Sequence, residues 1–150
     1  ASLALAAHRG RARPLQALVL ISPMLDLLAQ DETYTSRAET DRFFSRANML
    51  DCADMYLQGH PAQDPLVSPL NADAAAFPRT MVLIGGKEVL LGEAIRFAEK
   101  LARGGKTVTL HVAENSGHVW PMLEAGTDAA RDALKAMAAF LDAARGASEA

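Results

Sequence analysis

Two side chains able to move protons stand where a chain of alternating strands and helices gathers its chemistry. Glu88 follows the run Gly85-Gly86-Lys87, and His118 follows Glu114-Asn115-Ser116-Gly117. Each loop comes directly after a strand-like segment, and in open parallel sheets active residues collect at the carboxyl ends of strands. A carboxylate and an imidazole on successive strand ends can meet in space although a whole helix intervenes. The carboxylate then fixes the tautomer of the ring and stabilises its protonated form, which makes the ring a general base. An isolated Glu and His carry little weight, because a loop histidine is more often a satisfied polar residue than a catalyst.

The other polar candidates take plainer readings. Glu93 is the rival acid, but it falls inside the helix after Glu88 and off its apolar stripe, so it is expected to face solvent. Asp26, in the loop Ser22-Pro-Met-Leu-Asp26, reads as a loop organiser. His8, His60 and His111 have no metal-ligand spacing with one another or with His118. Cys52 reads as a small buried side chain on a helix. Trp120 and Met122 either line a substrate pocket or belong to the core.

Three strands are expected to carry these loops. Ala17–Ile21 and Met81–Ile84 are apolar throughout and bounded by Pro, Ser and Gly, the pattern of parallel strands covered on both faces. Thr107–Val112 alternates, as a half-buried strand near a sheet edge does. Helices are predicted over 2–9, stopping near Gly10, over 91–102, stopping at Gly104-Gly105, and over 128–144 with Thr127 or Asp128 as cap. On the last, Ala130, Leu134, Met137 and Leu141 form the expected buried stripe. Strands alternating with helices give an α/β fold with a mainly parallel sheet. The connection from Ser22 to Thr80 is too long for a simple crossover. Ser45 caps a helix within it, running to about Gln58, and the segment builds either a lid or cap or a helical hairpin packed on one face.

Composition narrows the classes. With 15 basic against 18 acidic residues the net charge is −3, and no concentrated basic face for nucleic acid is expected. Half of the residues are hydrophobic, enough to offset the entropy of folding. No apolar run approaches the roughly 18 residues of a membrane-spanning helix. The single cysteine excludes an internal disulfide framework. No secretory signal is visible, and the cytoplasm is the default location. The opening Ala1–His8 reads as a helix already under way, so an N-terminal truncation is expected.

Four segments taken together carry a resemblance: Leu18-Val-Leu-Ile-Ser-Pro-Met-Leu-Asp26, Asp64-Pro-Leu-Val-Ser-Pro-Leu70, Lys87-Glu-Val-Leu-Leu-Gly-Glu93 and Gly117-His-Val-Trp120. In this order they resemble the hormone-sensitive-lipase-like family of α/β-hydrolases, which includes bacterial acetyl-esterase-type carboxylesterases. The resemblance implies a Ser-acid-His triad in which Glu88 is the acid and His118 the base. Lys87 departs from the acidic residue that relatives often have there. It also implies a small-molecule ester substrate, no metal or organic cofactor, and a possible homodimer through the last strand, Thr107–Val112.

The family's nucleophile elbow Gly-x-Ser-x-Gly and its His-Gly-Gly oxyanion loop do not occur in these 150 residues. Residues 1–150 are therefore expected to be the C-terminal part of one α/β-hydrolase domain with part of a cap. The nucleophile would lie about three residues before Ala1. Carboxylic ester hydrolysis in the intact protein is the expected activity. The alternative is a non-catalytic or degenerate fragment of the same fold.

Overall fold

The computed structural model describes residues 1–11 and 15–146. The chain opens with α1 (Ser2–Ala6), which runs on through the turn Ala7–Arg11 to Gly10 in the left-handed region, and continues into β1 (Ala17–Ile21). Next come α2 (Thr33–Ser36), α3 (Arg46–Leu57) and two single 3-10 turns at Pro69–Asn71 and Ala74–Ala76. The remainder alternates: β2 (Arg79–Gly85), α4 (Leu91–Arg103), β3 (Val108–Ala113), α5 (Trp120–Leu123) and α6 (Asp128–Gly146).

The three strands pair in the order β1-β2-β3, all parallel, with Leu18 beside Thr80 and Thr80 beside Val108. Because they are parallel, every strand delivers its exit loop to the same edge of the sheet. That one fact brings the loops after Ile21, Gly85 and Ala113 together. β2 is the central strand, and Thr80–Gly85 is buried throughout, which is why its sequence is apolar without alternation. Its side chains split between two cores. Val82 and Ile84 pack with Phe97, Leu101 and Leu90 on the α4 side, while Met81 and Leu83 pack with Trp120, Ala133 and Phe140 on the α6 side. β3 lies at the outside of these three strands and is only half covered.

The helix ends follow their local chemistry. The Ser45 hydroxyl accepts from Asn48 N–H while the Asn48 side chain takes Ser45 N–H, a reciprocal cap on α3. At the end of α4, Gly105 is in the left-handed region at φ 72°, and Lys106 N–H reaches the Leu101 carbonyl at 3.0 Å. That closing geometry needs a residue free to take positive φ. Thr127 Oγ1 accepts from Ala130 N–H at 3.2 Å and caps α6.

Several expectations need correction. The buried stripe of α6 is Ala130, Ala133, Phe140 and Ala144, whereas Leu134 and Leu141 are 52% and 41% exposed. The alanines let the helix approach the sheet closely and Phe140 fills the gap, so small residues set its rotation where leucines were expected to. Trp120 is fully buried in that same core and Met122 lies on the surface, so Trp120 is a core residue and no pocket wall. Cys52 is exposed, because α3 buries only Met49 and Ala53. The segment from Ser22 to Thr80 holds one 12-residue helix and one 4-residue helix, so it is not a packed helical hairpin.

The rotation of α6 is directly testable. Ala133→Leu should lower stability by about 1–3 kcal/mol through overpacking, and Leu134→Ala should change it by no more than about 0.5 kcal/mol. Urea-unfolding midpoints of the two variants should differ in that order; the reverse order would mean the helix presents its leucines to the sheet.

Candidate active site

The acid sits in a turn forced by two glycines at the end of β2. Glu88 N–H closes the turn onto the Gly85 carbonyl at 3.2 Å, and the side chain folds back under it. Glu88 Oε1 accepts from Gly85 N–H at 2.6 Å and from the Ser22 hydroxyl at 2.7 Å. Its Oε2 lies 2.9 Å from His118 Nδ1. The carboxylate has no exposed surface, so these donors replace the water it has lost. A side chain at Gly85 would crowd this arrangement, since a Cβ there would come within 2.6 Å of the Gly117 carbonyl and 2.9 Å of Glu88 Oε1.

His118 is presented by the loop after β3. Lys87 N–H donates to the Ser116 carbonyl at 3.3 Å, which ties the two loops together. Glu124 accepts from Ser116 Oγ and Gly117 N–H at 3.3 and 3.4 Å. The His118 side chain is 19% exposed and therefore reachable from one side. Its ring and that of Phe44 are nearly perpendicular, 4.7 Å apart between centroids, and Phe43 stands 6.0 Å away. An imidazole engaged by a carboxylate through Nδ1, as here, can use Nε2 for proton transfer.

Ser22 joins the two loops. Besides donating to Glu88, its hydroxyl accepts from Val119 N–H at 2.9 Å. Both residues carry left-handed backbone, Ser22 at φ 46° and Val119 at φ 45°. For a β-branched valine that conformation is costly, and it persists only where the surroundings hold it.

A strap formed by residues 31–44 binds the acid turn from outside. Thr40 Oγ1 donates to the Lys87 carbonyl, Val89 N–H donates to Asp41 Oδ2, and Thr33 Oγ1 donates to the Val89 carbonyl. Asp41 also accepts from the backbone N–H groups of Phe43 and Phe44 through Oδ1, so a single carboxylate ties the acid turn to the two rings beside His118. A cleft of about 320 Å³ opens next to this pair, lined by Thr40, Arg42, Phe43, Lys87, Asn115, Gly117 and Glu124.

Glu93 is not on the solvent side of α4. It is fully buried, with Oε1 accepting from the Tyr34 hydroxyl at 2.7 Å and Oε2 accepting from the backbone N–H groups of Leu25 and Asp26. The first turn of α4 is covered by the 22–36 segment as well as by the sheet. A stripe drawn through apolar residues alone therefore discounted a charged residue one turn before the fully buried Phe97. Burial pushes the Glu93 carboxyl up to about 7, against the opposing pull of its hydrogen bonds from Tyr34, Leu25 and Asp26, and the nearby Asp26 charge adds to the rise. Burial, then the Glu93 carboxylate, likewise pushes the Tyr34 phenol up.

The structure thus brings Glu88 and His118 together and places Glu93 on a different set of partners. The Ser22 bridge, the Asp41 tie and the Phe43-Phe44 wall were not singled out in the sequence. The one visible signal, for the Asp41 tie, is the polar run from Asp31 to Asp41, rich in Thr and Asp.

Glu93 makes stability depend on pH with a defined sign. The folded protein holds this proton more tightly than the unfolded chain, whose value is near 4.5. The resulting stabilisation is full below pH 4.5, declines as pH rises, and is gone above about 7. Glu93→Gln should flatten that part of the profile. Urea midpoints at pH 5 and pH 7.5 should differ more in the wild-type protein than in this variant; equal differences would place the titration elsewhere.

Known proteins share this arrangement of elements. A family model described as alpha/beta hydrolase fold matches residues 1–122. An acetyl-hydrolase of Streptomyces hygroscopicus is 31% identical over 144 residues, covering 95% of this chain and 48% of that protein. An esterase of Acinetobacter venetianus is 32% identical over 124 residues, covering 82% of this chain and 41% of that protein. The crystal structure of an esterase from the bacterial hormone-sensitive lipase family superposes with a TM-score of 0.88 at 28% identity, over 93% of this chain and 47% of that one. The chain spans about half the length of the curated relatives it matches. It belongs to the α/β-hydrolase fold family, in the branch of the hormone-sensitive-lipase-like esterases.

Proposed function

We propose that this chain supplies the acid and the base of a serine carboxylesterase, with Glu88 as the acid and His118 as the base. The observation that carries the reading is the 2.9 Å contact between Glu88 Oε2 and His118 Nδ1, made by a carboxylate with no exposed surface. The names of the relatives, acetyl-hydrolase and esterase, point to carboxylic esters as the substrate class.

In this mechanism His118 Nε2 takes the proton of a serine hydroxyl as the oxygen attacks the ester carbonyl. The imidazolium so formed is stabilised by Glu88 and returns the proton to the leaving alcohol. Water then cleaves the acyl-enzyme by the same relay. The serine and the oxyanion donors belong to a segment preceding Ala1, joined to residues 1–150 in one hydrolase domain. The chemistry uses protein groups alone.

Two measurements test this. The 150-residue chain alone should hydrolyse no short-chain aryl ester, because nucleophile and oxyanion donors are each worth orders of magnitude in rate. Serine-dependent turnover by the isolated chain, blocked by a fluorophosphonate, would contradict it. In the longer protein, Glu88→Ala should lower turnover by roughly 10³-fold or more, with His118→Ala at least as damaging and the double variant little worse. Full activity of His118→Ala would leave the non-catalytic reading of this half standing.

A further inference from the structure

We infer that Glu93 is a positioning residue for the Glu88–His118 pair, acting through the turn from Ser22 to Asp26; this rests on the esterase reading above. A buried carboxylate beside Ala94 and Phe97 is an expensive choice, since an apolar side chain of similar volume would pack there without losing hydration. What a carboxylate provides and an apolar group cannot is direction. One oxygen, Oε2, gathers the adjacent N–H groups of Leu25 and Asp26, and the other is held by the Tyr34 hydroxyl. Two consecutive peptide planes are thereby fixed against the start of α4.

The turn so fixed is the one that must hold Ser22 in place. At its near end Ser22 N–H donates to the Leu83 carbonyl at 2.8 Å, and its backbone takes the left-handed conformation at φ 46°. Its hydroxyl meets Glu88 Oε1 and Val119 N–H, and Val119 is itself left-handed. Two strained residues therefore share one hydroxyl. At the far end the turn is also held by neutral contacts, Leu27 N–H to Ser68 Oγ at 2.9 Å and Leu70 N–H to the Leu25 carbonyl at 3.0 Å. Glu93 differs from them in gathering two consecutive N–H groups, those of Leu25 and Asp26, on one oxygen at that end of the turn. Without it, Leu25 and Asp26 lose their N–H acceptor and the turn can relax. Ser22 then shifts against Glu88, and small misplacements of reacting groups are costly in rate.

The test is a double-variant cycle in the longer protein, read in kcat, KM and thermal midpoint together. Glu93→Leu should lower kcat on the order of 10-fold to 10²-fold with KM within about 2-fold. Glu93→Gln should restore most of that loss, because its carbonyl can accept both N–H groups while its amide donates to the Tyr34 oxygen. Ser22→Ala should also lower kcat, and adding Glu93→Leu to it should lower kcat little further, although the losses in thermal midpoint add. Should Glu93→Leu fail to fold, Glu93→Asp, one methylene shorter, reads the same coupling at smaller amplitude.

Independent, multiplying losses in kcat would overturn the inference, because a residue acting only on the fold has no reason to share its effect with Ser22. A wild-type kcat for Glu93→Leu would overturn it as well. Failure of the esterase reading has a separate signature: His118→Ala would then remain active, whatever the Ser22 and Glu93 variants do.

Discussion

A carboxylate with no exposed surface has to be matched by donors, and the geometry around Glu88 follows from that requirement. Gly85 N–H, the Ser22 hydroxyl and His118 converge on its two oxygens from three different strand exits. The parallel sheet makes the convergence possible by sending all three exits to one edge. The glycines make it compact, since a side chain at Gly85 would collide with the His118 loop. Removing any one donor leaves a buried negative charge short of a partner, which is dearer than the loss of an ordinary hydrogen bond.

Around this centre the long connection between β1 and β2 acts as a restraint. Thr33, Thr40 and Asp41 fasten the backbone of the acid turn at Lys87, Val89 and Gly92. The strap within it, residues 31–44, ends in the two phenylalanines that border His118. Beside these two rings the imidazole side chain stays 19% exposed. A second buried carboxylate, Glu93, fastens the first part of the connection at Leu25, Asp26 and Tyr34. Two buried acids five residues apart therefore have separate partners: Glu88 meets the His118 ring, and Glu93 meets the backbone of Leu25 and Asp26.

Much of this was legible in the sequence because it rests on short-range patterns. Apolar runs closed by Ser-Pro and Gly-Gly located β1 and β2, and Gly104-Gly105 and Thr127 marked helix ends that the structure reproduces. Glu88 and His118 stood in the loops after successive strands, which alone carried little weight, and the four-segment resemblance paired them as acid and base. The misses share a physical cause. Glu93, the α6 stripe and Cys52 were each judged from the hydrophobicity of one helix, yet burial is decided by what covers that helix. The first turn of α4 is covered by a polar strap that offers hydrogen bonds, so a charge is buried there. α6 meets the sheet through alanines because a close approach needs small residues, so its leucines face outward. The Ser22 bridge depends on backbone conformations at residues 22 and 119, which no periodicity reveals.

The central claim is that Glu88 holds the proton of His118 on Nδ1 and leaves Nε2 bare for chemistry. The most direct measurement is the nitrogen resonance pattern of the His118 ring in the ¹⁵N-labelled protein at neutral pH, with and without Glu88→Gln. The structure predicts a protonated Nδ1 and a bare Nε2 in the wild-type protein, and a changed tautomer balance in the variant. A proton resident on Nε2, or a ring indifferent to the substitution, would contradict the account.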